Sequence, residues 1–124
     1  MENNFLGLRT TIYKVNEISV ARDWYTKAFG TAPYFDEPFY VGFNIGGYEL
    51  GLQPSESIAV KTDGVVSYWG VEDIEKVYQN FLDLGATAQE PPTNRGGELS
   101  TAEIKDPFGN IIGLIFNPYF SLKD

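Results

Sequence analysis

Histidine is absent from the 124 residues, and so is cysteine. The first absence removes the commonest general base and the commonest transition-metal ligand. No Ser-His or Cys-His nucleophilic system can exist in this chain. The second removes disulfides, thiolate zinc sites and thiol nucleophiles, while remaining compatible with any compartment. Basic residues are also scarce: nine lysines and arginines face seventeen acidic residues, a formal charge of −8. That balance repels nucleic acid and anionic membrane surfaces and mildly favours cationic or neutral ligands, although acidity alone also serves solubility. No apolar run reaches the roughly 18 residues of a membrane span, and the start lacks the pattern of a signal peptide. The expectation is a cytoplasmic protein with no nucleic-acid or membrane partner.

What is present suits one domain with a real core, since 43% of the residues are hydrophobic. The clearest local signal is Asp106-Pro107-Phe108-Gly109-Asn110, followed by the apolar run Ile111 to Phe116. Proline fixes φ, and glycine and asparagine tolerate positive φ, so a turn leads into a core strand covered on both faces.

Residues 1–5 read as loose, and 6–15 as a strand in which Thr11, Tyr13 and Val15 share one face and Thr10, Ile12 and Lys14 the other. Ser19 is placed to cap a helix carrying Val20, Ala21, Trp24, Tyr25 and Ala28, which Gly30 ends. Pro33 and Pro38 bracket the aromatic pair Tyr34-Phe35; strands at 39–45 and 48–53 then flank a Gly46-Gly47 turn, with Glu49 in the second. Residues 55–63 read as a linker.

The plan then repeats. Val15-Asn16-Glu17-Ile18 returns as Val71-Glu72-Asp73-Ile74, 56 residues later, after a strand at 65–71 and before a helix marked by Ile74, Val77, Phe81 and Leu84. A short strand at 87–89 precedes a break at Pro91-Pro92. Residues 94–97 read as a mobile loop, and 99–105 with 111–116 as the closing hairpin. The count is α+β: a single domain over 1–124 made of two βαβββ halves, about 6–54 and 64–117.

The duplicated order, the helix with Trp24-Tyr25 and Phe29-Gly30, and the final Asp106-Pro107-Phe108-Gly109-Asn110 resemble the vicinal-oxygen-chelate superfamily. That group includes glyoxalase I, extradiol dioxygenases, and fosfomycin- and bleomycin-resistance proteins. The resemblance implies a curved mixed sheet with helices outside, a cavity within it, and a homodimer whose sites draw on both chains. Metal-dependent members hold a divalent ion from four strand positions, which fall by motif on Thr10, Glu49, Val66 and Gly113. Only Glu49 carries a ligating group, so neither a metal nor another cofactor is expected.

Extending the cavity face by alternation brings in Ile12, Lys14, Glu49, Gly51, Gln53, Tyr68, Gly70, Ile111 and Ile115, with Tyr40 and Glu103 at its margin. Lys14, Tyr40, Glu49, Gln53, Tyr68 and Glu103 are the candidate ligand-binding residues. Core filling is the plainer account of Tyr68 and Trp69. A carboxylate inside an apolar strand is costly unless paired, neutral or used, and a bond to Lys14 would satisfy Glu49. Three functions stay open: a metal-independent binding protein for an aromatic or cationic small molecule; a lyase or isomerase with Glu49 as catalytic base and Tyr68 or Lys14 polarising the substrate; or a partner module docking through Tyr119 and Phe120.

Overall fold

A computed structural model of the chain describes residues 4, 6–55, 61 and 64–120. They fall into two units, Met1–Ile58 and Ala59–Asp124. Most of the segment read as a linker, residues 1–3 and 5, and the end of the tail from 121 lie outside the described residues.

The first unit runs β1 (Thr10–Val15), α1 (Ile18–Phe29), β2 (Phe35–Glu37), β3 (Tyr40–Ile45) and β4 (Tyr48–Pro54). Its sheet has the order β1-β4-β3-β2, with β1 parallel to β4 and the other pairs antiparallel. β1 starts at Thr10 rather than residue 6 because its partner runs out: β4 begins at Tyr48, and the first paired residues are Thr10 and Glu49. Ser19 does not cap α1. The cap position belongs to Glu17, whose side chain makes no capping bond, and Ser19 lies inside the first turn. At the other end Gly30 takes the left-handed conformation, φ 66°, that releases the chain.

Alternation puts Tyr13, Val15, Val41, Phe43, Leu50 and Leu52 on the buried face, beneath Ala21 and Tyr25 of α1. Tyr25 is fully buried and stacks against Tyr13 and Phe29 at centroid distances of 5.7 and 5.8 Å. The helix is therefore turned toward Ala21 and Tyr25, leaving Val20 exposed.

The second unit repeats the order with β5 (Tyr68–Gly70), α2 (Ile74–Asp83), β6 (Thr87–Gly96), β7 (Leu99–Lys105) and β8 (Ile111–Phe116), arranged β5-β8-β7-β6. Asp73 caps α2 by accepting from the Lys76 amide at 3.2 Å. Its core joins Ile74, Tyr78 and Phe81 of the helix to Ala102, Ile104, Ile112 and Leu114 of the sheet. The two units are thus βαβββ modules, each a mixed four-stranded sheet with a helix packed on one face.

Four sequence expectations change here. The strand at 65–71 shrinks to Tyr68–Gly70, the residues that pair with Gly113 to Ile115. β8 is covered on one face: Ile112 and Leu114 are buried, while Ile111 and Ile115 stay half-buried. Pro91-Pro92 does not end the strand, and 94–97 is not a free loop. β6 runs ten residues through them to Gly96, because among the described residues it is an edge strand bonded only to β7, and its register shifts between Ala88 and Glu90 and between Glu90 and Thr93. A missing amide is tolerated at such an edge.

Candidate functional site

In the first unit the face away from α1 carries cross-strand rows. Thr10, Glu49 and Asn44 form one; Ile12, Gly51 and Gly42 form the next; Lys14 and Gln53 lie beyond. Glu49 is where polar groups converge. Its Oε1 accepts from Thr10 Oγ1 at 2.8 Å, and its Oε2 accepts from the Tyr34 hydroxyl. Tyr40 supplies a third hydroxyl bond.

Two glycines make this possible. A Cβ on Gly42 would sit 3.0 Å from both Glu49 Oε2 and Tyr34 Cε1, and one on Gly51 would sit 2.7 Å from Tyr40 Cζ. The phenols reach the carboxylate by lying over bare backbone.

The electrostatics follow from these bonds. The Tyr34 hydrogen bond, first, and those of Thr10 and Tyr40 hold Glu49 below its ordinary value, against the opposing effect of burial. Burial and then the bond to Glu49 push Tyr40 up to about 12, and the same carboxylate raises Tyr34. The centre is a fixed negative charge with most of its lone pairs occupied, a poor proton acceptor near neutral pH. Beside it opens a pocket of about 190 Å³, lined by Tyr34, Phe43, Asn44, Gly47, Tyr48 and Glu49.

The second unit builds a different arrangement on the same frame. Tyr68, Gly113 and Glu103 share one row, and the Tyr68 hydroxyl donates to Glu103 Oε2 at 2.9 Å. Burial, then the bond to and charge of Glu103, raise the Tyr68 phenol, while Arg95 pulls the other way. Arg95 pairs with Glu90 and donates to Thr101 Oγ1 at 3.0 Å. The Asp106 motif is structural: Asp106 and Asn110 are buried, and Asp106 Oδ1 accepts from the amides of Phe108 at 2.9 Å and Asn110 at 2.7 Å. Gly109 alone in that turn has positive φ, 91°; Asn110 does not.

Of the residues expected to bind ligand, Tyr40 and Glu49 come together, as do Tyr68 and Glu103. Lys14 and Gln53 lie side by side on the same face as Glu49, four residues further along. Glu49 takes hydroxyl partners in place of the expected bond to Lys14. The pairing of Thr10 and Tyr34 with Glu49 was missed. Gly42, in an alternating strand after the Pro33 bracket, was the signal for Tyr34, whose amide bonds Gly42 O at 2.9 Å.

The family model described as Glyoxalase/Bleomycin resistance protein/Dioxygenase superfamily matches residues 7–114. The chain belongs to this superfamily. A glyoxalase-related enzyme from Fulvimarina pelagi superposes on the glyoxalase-superfamily chain with a TM-score of 0.78 at 17% identity, covering 96% of this chain and 94% of that one. Lactoylglutathione lyase from Agrobacterium tumefaciens gives 0.74 at 15%, covering 97% and 100%. Fosfomycin resistance protein FosX from Mesorhizobium loti gives 0.71 at 15%, covering 95% and 96%. At such identities the likeness is one of fold. No curated protein matches the sequence.

The superfamily's metal does not fit the residues of this member. At the four positions the vicinal-oxygen-chelate resemblance marks, the Thr10 hydroxyl is donated to Glu49, and Val66 and Gly113 have no ligating side chain. Gly113 is moreover covered: a Cβ there would meet Tyr68 Cδ1 at 2.6 Å and the Ser67 carbonyl at 2.8 Å. Among the described residues no three His, Cys, Asp or Glu gather as a metal site, and no helix is long and apolar enough to cross a membrane.

Proposed function

We propose that this protein is a metal-independent small-molecule-binding protein of the bleomycin-resistance type, working in the cytoplasm as a homodimer. The observation that carries the reading is Glu49: an ionised carboxylate on the sheet face away from α1, preorganised by three hydroxyls above two glycines. Fixed polar groups among aromatic rings are what small-molecule sites are made of. A second copy gives the exposed rings of Tyr34, Phe39, Tyr119 and Phe120 somewhere to dock.

Glu49 as the base of a lyase or isomerase is the weaker reading, because its hydrogen bonds lower rather than raise its proton affinity. Thermal melting against a panel of aromatic and cationic compounds, with and without chelator, tests the proposal. A ligand-dependent rise that chelator leaves unchanged supports it. A large fall on adding chelator overturns metal independence, and turnover of a carbon acid lost in Glu49→Gln overturns the non-enzymatic reading. Sedimentation of the free protein as a monomer overturns the dimer.

A further inference from the structure

Of the three hydroxyls on Glu49, two are built into the sheet and one is not. Thr10 and Tyr40 belong to β1 and β3, whereas Tyr34 precedes β2 and is 64% exposed. Its main chain is tied to β3 by the hydrogen bond from its amide to Gly42 O at 2.9 Å, so rotation of the side chain alone takes the ring off the carboxylate. The ring rests on bare backbone: a Cβ on Gly42 would sit 3.0 Å from Tyr34 Cε1 and 3.1 Å from its Cζ. Tyr34 therefore occupies a seat with a backbone floor at Gly42 and the Glu49 carboxylate at its end. We infer that this seat takes the phenol group of a neutral aromatic ligand, and that Tyr34 is the internal group which that ligand replaces. The inference rests on the ligand-binding reading above and names its ligand class.

The chemistry of the seat selects the class. Glu49 is held ionised, so its Oε2 accepts a proton donor and offers none. Tyr34 in turn keeps its proton, because the bond to Glu49 raises it. A phenol brings that O–H together with a flat ring for the Gly42 floor. An aliphatic alcohol brings the donor without the ring, and an aryl ether brings the ring without the donor. Anions are repelled by the Glu49 charge, and among the described residues neither lysine nor arginine lines the adjoining pocket of about 190 Å³. That pocket borders both Tyr34 and Glu49 and leaves space for what the phenol carries. Exchange is balanced, because the ligand returns the hydrogen bond that Tyr34 gives up and water satisfies the released hydroxyl. Tyr34, being tethered, competes at an effective concentration on the order of millimolar, so its removal tightens binding.

The test is titration of the full chain, followed by NMR, with p-cresol, which is the tyrosine side chain as a free molecule, and with its methyl ether. Wild type is expected to bind p-cresol at least about tenfold more tightly than the ether, with shifts centred on Tyr34, Gly42 and Glu49. Tyr34→Ala vacates the seat and should tighten p-cresol at least about tenfold over wild type. Tyr34→Phe, which keeps the ring and loses the donor, should act in the same direction and serves where Tyr34→Ala fails to fold. Glu49→Gln should weaken p-cresol about tenfold and leave the ether unchanged. Equal binding of p-cresol and the ether, binding unchanged in Glu49→Gln, or binding no tighter in either Tyr34 variant overturns the inference. Binding confined to the Tyr34 variants overturns the exchange, since Tyr34 is then a fixed wall. Failure of p-cresol throughout, while other aromatic or cationic compounds still raise the melting temperature, sinks the phenol assignment alone. Failure of every compound sinks the ligand-binding reading with it.

Discussion

The two units place a glycine at the same point of their last strands, Gly51 and Gly113, and each roofs it with a tyrosine whose hydroxyl bonds a glutamate. The row Ile12-Gly51-Gly42 of the first corresponds to Tyr68-Gly113-Glu103 of the second. The roofs come from different directions. In the first unit Tyr40 rises from β3 and joins two more hydroxyls on Glu49; in the second Tyr68 comes from β5 and reaches one carboxylate near an arginine. One backbone frame has thus produced a concentrated negative centre in one copy and a partly compensated pair in the other.

Adding a methyl at each glycine should separate the two roofs most strongly. Gly113→Ala meets the Ser67 carbonyl of the backbone as well as the Tyr68 ring, so β5 must move, and we expect a loss of about 3 kcal/mol in urea unfolding. Gly51→Ala meets only the end of Tyr40, which can swing aside, and should cost about 1 kcal/mol. Equal losses would mean that the two roofs are equally rigid.

Removing charge gives a smaller contrast. Glu49→Gln, against three hydroxyl donors, should cost about 1–2 kcal/mol, and Glu103→Gln, with its exposed Tyr68 partner, about 0.5 kcal/mol or less. Because the folded-state value of Glu49 lies below the ordinary 4.5, its stabilisation is present above that pH and disappears as pH falls through the folded value. The gap between wild type and Glu49→Gln should therefore narrow as pH falls below the ordinary 4.5 and close once it passes the folded value. A gap that does not change with acidification at all would show that the carboxylate's charge contributes nothing.

Tyrosine absorbance offers the finest comparison. Tyr40 should ionise at about 12, with Tyr34 and Tyr68 also above 10. These raised values contribute stability below about pH 10 that is lost as pH rises through them. Gly51→Ala should return Tyr40 toward 10 and leave Tyr68 in place.

Much of this frame was legible in the sequence. The closing hairpin and the return of Val15-Asn16-Glu17-Ile18 as Val71-Glu72-Asp73-Ile74 rest on local chemistry that tertiary context does not alter. Glu49 stood out because a carboxylate among leucines and glycines needs a reason. Its partners did not, since Thr10 meets Glu49 only through a parallel crossover whose register no local signal sets. Tyr34 reaches it only because Gly42 is bare. Pro91-Pro92 is ambiguous for a related reason: the same dipeptide that breaks an inner strand is acceptable on an outer one, and strand order is not written locally.

Those prolines have a further consequence. Two of the four edge strands are β2, three residues long between Pro33 and Pro38, and β6, with Pro91 and Pro92 inside it. Neither offers an unbroken ladder of amides to a stray strand, so templated aggregation through these borders is discouraged. Strand-on-strand growth is thereby discouraged at two of the four sheet borders, and fibrils are not readily seeded from β2 or β6.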